Sequence, residues 1–156
     1  MKEAYRVGAE LPALEIPVTR TLIVAGAIAS RDYQDVHHDA ERAREKGSPD
    51  IFMNILTTNG LVGRYITDHF GPTAVLRKVA IRLGAPNYPG DLLRLTGRIV
   101  ALEAALEAAL EAAPENVALE RENHTLIEVA VTGDNRIGRH VTGKVTVALP
   151  QEARSL

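Results

Sequence analysis

The stretch SPDIFMNILTTNGLVGRYITDHFG, residues 48–71, decides the fold. Ser48 is a good helix cap, Pro49 suits a first helical position, and Asp50 favours the positive end of a helix dipole. The pair Gly71-Pro72 stops the run. Apolar residues recur between these signals at helical spacing, namely Ile51, Ile55, Val62, Tyr65, Ile66 and Phe70. The pattern predicts a long helix that is apolar over much of its circumference and is packed on by most of the domain.

Beyond Pro72 the apolar period changes from about 3.6 residues to about 2. An extended segment, residues 11–17, precedes the helical part of the chain, and the runs 87–91 and 133–136 are rich in turn formers. Apolar and polar residues alternate in the stretches 79–83, 93–99, 127–131 and 141–149. Half-buried strands joined by short turns favour antiparallel pairing. We therefore predict an α+β hot-dog fold, in which an antiparallel, curved sheet of about five strands wraps around the long central helix.

The composition is typical of one globular domain, residues 1–156, with 46% hydrophobic residues and a net charge of −2. This balance gives no basic face for general nucleic-acid binding. The absence of cysteine excludes a disulfide framework, a thiol nucleophile and a Cys-ligated metal. No signal sequence is visible and no apolar run reaches the roughly 18 residues of a membrane span, so we expect a cytoplasmic protein that binds no membrane.

One segment departs from the strand pattern. Residues 101–113 repeat the tetrapeptide ALEA three times before Pro114 ends the run. Alanine, leucine and glutamate are strong helix formers, yet strand-like segments lie on both sides. We interpret residues 101–116 as an insertion between two strands, either a surface helix or a long hairpin tip. A partner-binding amphipathic helix is the alternative.

The candidate chemistry lies in RDYQDVHHD, residues 31–39, a polar, aperiodic stretch. A short apolar helix capped by Thr19 precedes it, and a short polar helix follows from Ala40. Asp32 and His37 are five residues apart, so in a non-helical turn they can converge on one water molecule. A histidine and a carboxylate suit proton transfer. The alternative is a solvated loop whose acidic residues, Asp39 above all, cap the following helix.

A metal site formed by Asp32, His37, His38 and Asp39 is the rival functional interpretation. Adjacent histidines in an extended chain usually point apart. We therefore expect no metal. The remaining histidines belong to other elements and are expected at the surface or at helix ends, namely His69, His124 and His140.

These residues carry a resemblance to a known family. The run DYQDVHHD at 32–39, then Ala43, then GSPDIFMN at 47–54 and NYPGDLLRLTGRIV at 87–100, resembles the MaoC-like hydratases, the (R)-specific enoyl-CoA hydratase family. The resemblance covers roughly residues 14–149.

Three positions depart from the family's motif: Gln34 stands where Asn is usual, Asp35 where Pro is usual, and Asn54 where Gly is usual. With these departures the chain is most similar to the small subunits of heteromeric steroid side-chain enoyl-CoA hydratases. The resemblance implies that water adds across the α,β double bond of an acyl-CoA. Asp32 and His37 would hold the water and move the protons, in an order that the sequence leaves open. A backbone N–H near Asn54 would stabilise the thioester oxyanion.

The resemblance also implies partners. The larger subunit of such hydratases carries a MaoC-like domain and a zinc-bearing OB-fold domain, DUF35, and docks a thiolase-like aldolase. Coenzyme A is part of the substrate, so no separate cofactor is expected.

Two other functions stay open. One is a hot-dog acyl-CoA thioesterase, which usually has an acidic residue within the central helix, whereas Asp50 and Asp68 lie at the ends of this one. The other is a non-catalytic interaction subunit.

Overall fold

The structure, a computed structural model, describes residues 5–102 and 124–150. Most of the predicted insertion at 101–116 lies outside these ranges, and its first two residues end a strand. The described elements are, in chain order, β1 (Glu10–Pro17), α1 (Arg20–Ala29), a single 3-10 turn (Asp35–His37), α2 (Ala40–Glu45), α3 (Ile55–Phe70), β2 (Val75–Leu83), β3 (Leu92–Leu102), β4 (His124–Asp134) and β5 (Arg139–Pro150).

The strands form one sheet in the order β1-β3-β4-β5-β2, and each neighbouring pair is antiparallel. Register shifts interrupt β1, β2 and β3, and such bulges bend and twist a sheet. Helix α3 contacts both β1 and β2, the two opposite edges of the sheet, as well as β5. Contact with both edges means that the sheet curves around α3, as the sequence pattern predicted.

The core lies between α3 and the inner face of the sheet. Alternate residues of β3 and β4 are buried, as is the run Val145–Leu149 of β5. The buried face of α3 meets the sheet with Val62, Tyr65, Ile66 and Phe70. Gly97 of β3 makes room for this contact, because a Cβ there would lie only 3.0 Å from Cε1 of Tyr65. Burial raises the pKa of Tyr65 to about 12.

The start of the central helix differs from the prediction. The helix begins at Ile55 rather than near Ser48, and Asn54 is its cap, accepting the N–H of Thr57 at 2.9 Å. Ser48 instead donates its hydroxyl to the carbonyl of Asp50. Residues 51–53 stay outside the helix because two of their backbone N–H groups donate to carbonyls of other loops. The N–H of Phe52 donates to Val36 O at 3.1 Å, and that of Met53 donates to Asn87 O at 3.0 Å.

Helix α1 packs on the first turns of α3. Its predicted cap is confirmed, since Thr19 Oγ1 accepts the N–H of Leu22 at 3.0 Å. Gly26 faces Thr57 so closely that a Cβ at position 26 would lie 2.2 Å from Thr57 Oγ1. This close approach sets the distance between the two helices. No helix within the described ranges is long and apolar enough to cross a membrane.

Candidate active site

The end of α1 places Asp32. Arg31 adopts a left-handed conformation with φ 57°, so the chain reverses after the helix. The N–H of Arg31 binds Ile28 O and that of Asp32 binds Ala27 O, which is the pair of bonds of a Schellman motif. Glycine is the usual residue at the left-handed position of this motif. The carboxylate of Asp32 therefore projects from a fixed backbone although it belongs to a loop.

The predicted pair is brought together. His37 ends the 3-10 turn, and its Nε2 lies 3.3 Å from Asp32 Oδ2. The His37 side chain is 8% exposed and that of Asp32 is 19% exposed. The pair is therefore mostly buried but keeps some contact with solvent.

The backbone carbonyl of Phe52 determines which nitrogen of the His37 ring always carries a hydrogen. Nδ1 of His37 lies 2.7 Å from the carbonyl oxygen of Phe52. A carbonyl only accepts, so Nδ1 carries a hydrogen and donates it. The atom that gains or loses a proton is therefore Nε2, which faces Asp32. The edge of the Phe52 ring also packs on the imidazole, with ring centroids 5.1 Å apart.

A third side chain joins the pair. Asn54 is 2% exposed, and its Nδ2 donates to Asp32 Oδ2 at 3.0 Å and to Ser30 Oγ at 2.9 Å. The amide orientation is unambiguous, because its oxygen accepts the N–H of Thr57. From the sequence, a role was expected only for a backbone N–H near Asn54. A polar residue inside an otherwise apolar run is the signal that could have indicated a role for its side chain.

The head of α3 lies beside this cluster. Asn54 has φ −79° and ψ 162°, an extended conformation open to any residue, so replacement of the glycine usual in the family introduces no strain. The first amides of a helix have no partner within it and carry the positive end of the dipole. The expected oxyanion donor near Asn54 is thus close to Asp32, and its role stays a prediction.

No family model matches the chain. It is 41% identical over 143 residues to the 3-oxo-4,17-pregnadiene-20-carboxyl-CoA hydratase beta subunit of Mycobacterium tuberculosis, a match that spans 92% of this chain and 95% of that protein. The chain belongs to the MaoC-like hydratases. The ChsH1-ChsH2 complex from Mycobacterium tuberculosis contains a chain with TM-score 0.75 and 40% identity, with 92% of this hydratase and 98% of that chain covered.

More distant structures agree on the fold. The R-hydratase PhaJ1 from Pseudomonas aeruginosa superposes with TM-score 0.73 at 18% identity, covering 95% of this hydratase and 84% of that chain. The (R)-hydratase from A. caviae superposes with TM-score 0.75 at 17% identity, covering 95% and 99% of the two chains. The predicted hot-dog fold and the resemblance to MaoC-like hydratases are both confirmed.

The other polar residues of the hydratase loop have structural tasks. Asp39 caps α2 by accepting the N–H groups of Glu41 and Arg42, and the Arg42 hydrogen bond is the main reason why the pKa of Asp39 is lowered. His38 is exposed and its Nε2 binds Tyr33 O at 3.2 Å. Residues 5–102 and 124–150 contain no group of three His, Asp or Glu side chains placed to hold a metal ion.

The expectation for His140 was wrong. It is 1% exposed within β5, with Nδ1 donating to Ala85 O at 2.7 Å and Nε2 accepting the hydroxyl of Thr58 at 2.9 Å. Burial is the main cause that lowers the pKa of this histidine. Thr58 lies one turn after Asn54, so His140 joins the first turn of α3 to the sheet.

The Pro-Gly-Asp turn of the hydratase motif supports the same end of α3. The Asp91 side chain is fully buried and accepts the N–H of Tyr88 at 2.7 Å and the guanidinium of Arg136. This turn presents the carbonyl of Asn87 to Met53, immediately before Asn54. Loop and turn together hold the entrance to the helix at a fixed position.

Proposed function

We propose that the chain is the catalytic subunit of a heteromeric enoyl-CoA hydratase that adds water across the α,β double bond of a steroid side-chain acyl-CoA. The observation that carries the proposal is the Asp32–His37 pair, 3.3 Å apart and mostly buried beside the head of α3. The steroid substrate follows the name of the Mycobacterium tuberculosis relative at 41% identity.

The proposed chemistry uses the two side chains as base and acid. The Asp32 carboxylate accepts a proton from water while the water oxygen bonds to the β-carbon of the thioester. Negative charge moves to the thioester oxygen, where a backbone N–H at the head of α3, near Asn54, stabilises it. His37 then gives its Nε2 proton to the α-carbon.

The proton balance closes within the pair. One O–H bond and the C=C π bond are lost, and one C–O and one C–H bond are gained. Asp32 ends with the extra proton and His37 without it. The 3.3 Å contact between Oδ2 and Nε2 gives that proton a direct path back to the ring. No metal and no cofactor is needed in this scheme, and coenzyme A enters as part of the substrate.

Exposed apolar side chains beside the site suit an acyl group. Ile55 and Leu56, in the first turn of α3, are 49% and 50% exposed, and Gly60 follows on the same face as Leu56. A rigid polycyclic group would cover this surface and remove it from water. Burial of a few hundred Å² at about 25 cal/mol per Å² is worth several kcal/mol, enough to favour a steroid over a short acyl chain.

The two sheet edges differ in a way that supports a second subunit. Edge strand β1 carries Pro12 and Pro17, which lack an N–H and discourage further pairing. Edge strand β2 contains no proline and exposes Val75 and Leu76, so it is open to a partner's strand. The proposed partner is a larger MaoC–DUF35 subunit, which links this chain to a thiolase-like aldolase. The proposed location is the cytoplasm.

The alternative of a thioesterase lacks a suitable acid. The only acidic residue in α3 is Asp68, which is exposed and paired with Arg64 at 3.1 Å near the far end of the helix. No feature of the site favours thioester hydrolysis over hydration.

The test is enoyl-CoA hydration by the chain with its partner subunit. Asp32→Asn and His37→Gln are each expected to lower turnover by about 10²–10⁴-fold while folding is little changed. His38→Ala, which alters an exposed neighbour, serves as the matched control and is expected to stay close to wild type. Near-normal turnover in either of the first two variants would remove the catalytic assignment. Release of free coenzyme A thiol without hydration would identify a thioesterase, and neither activity would identify an interaction subunit.

A further inference from the structure

The side chain of Asn54 has no assigned role in the chemistry, yet it contacts the catalytic carboxylate directly. Its Nδ2 lies 3.0 Å from Asp32 Oδ2, the oxygen that also faces His37. We propose that Asn54 is a positioning residue that holds the carboxylate of Asp32 in the orientation that proton abstraction from water requires. This inference rests on the proposed hydratase function.

The contacts of Asn54 leave its amide one orientation. Its oxygen accepts the N–H of Thr57, which a carboxamide NH₂ could not do. Ser30 gives its own hydroxyl hydrogen to the carbonyl of Gly26 at 2.7 Å and so presents a lone pair to Nδ2. Both amide hydrogens are therefore committed, one to Ser30 and one to Asp32.

A donor locked in this way makes a charge-assisted hydrogen bond to the carboxylate, which is stronger than a bond between neutral groups. The bond restricts rotation of the carboxyl group and keeps Oδ2 turned toward His37. Because Asn54 is buried and joined at once to α1 and to the first turn of α3, it moves little when water or substrate arrives.

Asn54 is also a helix cap, and the two roles are separable by substitution. Serine and aspartate are both good caps, so Asn54→Ser and Asn54→Asp keep an acceptor for Thr57. Each removes the N–H that reaches Asp32. Aspartate in addition places a second negative charge beside the carboxylate of Asp32, and the two like charges repel each other.

The kinetic arm measures kcat, KM and the pH profile of kcat/KM for enoyl-CoA hydration by the full chain with its partner. Asn54→Ser is expected to lose about tenfold in kcat at neutral pH, with KM little changed. Its pH profile of kcat/KM is expected to differ from that of wild type, because the lost N–H contacts the proton-accepting carboxylate. Asn54→Asp is expected to lose about a hundredfold in kcat.

The control exchanges a cap elsewhere. Asp39→Ser alters the cap of α2 without touching the pair, and its pH profile is expected to match wild type. If Asn54→Ser also keeps the wild-type profile and kcat, Asn54 is a helix cap only and the proposal is wrong.

A second arm does not depend on activity. The ¹⁵N–¹H resonances of the Asn54 side-chain amide are followed in a pH titration of the wild-type chain. They are expected to show a step that disappears in Asp32→Asn, because that variant has no carboxylate at position 32. A titration without such a step overturns the positioning role. Absence of hydration by wild type together with a clear step would overturn the hydratase function and leave the contact standing.

Discussion

Substitution of Gly26 tests whether the spacing of α1 and α3 sets the position of the Asp32 carboxylate relative to His37. A Cβ at position 26 would lie 2.2 Å from Thr57 Oγ1 and 2.9 Å from Thr57 Cγ2, both far inside van der Waals contact. Thr57 has little freedom to rotate away, because a β-branched side chain in a helix has few allowed rotamers. In Gly26→Ala we therefore expect the helices to separate.

The magnitude follows from two opposing terms. Overpacking costs about 1–3 kcal/mol, and replacement of glycine by alanine within a helix returns about 1 kcal/mol. The free energy of unfolding should fall by about 1 kcal/mol in total. Activity should suffer more, because the end of α1 carries Ser30 and Asp32. A displacement of this carboxylate by a fraction of an ångström is expected to lower kcat/KM by about tenfold or more.

Gly60→Ala is the matched control for stability. It makes the same exchange within α3, and a Cβ there would meet no atom within 4 Å. Denaturant unfolding should find Gly60→Ala more stable than wild type by about 0.5–1 kcal/mol, and Gly26→Ala less stable.

Among the described residues, Thr57 Oγ1 is a buried side-chain oxygen without a hydrogen-bond partner, so Thr57→Ala forfeits no bond. The double variant Gly26→Ala/Thr57→Ala should regain stability and activity. If Gly26→Ala matches Gly60→Ala in stability and wild type in kcat/KM, the spacing of α1 and α3 does not set the geometry of the Asp32–His37 pair.

Five further outcomes are expected. Arg31→Gly should raise the free energy of unfolding by about 1 kcal/mol, since the left-handed backbone disfavours a side chain; denaturant unfolding with no gain would contradict this. Burial lowers the pKa of His140, so below pH of about 6.5 the unfolded chain binds more protons than the folded chain. The free energy of unfolding should therefore fall as the pH is lowered through this range. Thermal melts at several pH values should show a smaller fall in His140→Gln. Arg136→Ala leaves the buried Asp91 carboxylate without its ion pair and should cost about 1–3 kcal/mol of unfolding free energy. Hydration should survive dialysis against a chelator, and a loss of activity that zinc restores would contradict this. The kcat/KM ratio of a steroid enoyl-CoA to crotonyl-CoA should rise when the partner is present, and an unchanged ratio would contradict this.

Periodicity was sufficient to predict the sheet and the central helix, because alternation and helical spacing are local properties of the chain. The start of α3 was not predictable in the same way. Ser48-Pro49-Asp50 has the composition of a helix start, but the amides of Phe52 and Met53 bind carbonyls from the loops at Val36 and Asn87. Those loops lie 16 and 34 residues away along the chain, so only the tertiary structure decides that the helix begins later.

The site was predictable to the extent that its residues are close in sequence. Asp32 and His37 lie in one loop, whereas Asn54 reaches Asp32 across 22 residues and Thr58 reaches His140 across 82. A buried polar side chain is costly unless it is hydrogen-bonded, so a polar residue in an apolar run is itself evidence of a partner elsewhere. Asn54 and Thr58 lie one turn apart and are held by opposite sides of the domain, α1 and β5. The first turn of α3 is therefore fixed by directional polar contacts, whereas the buried face of the rest of the helix is held mainly by non-directional apolar packing.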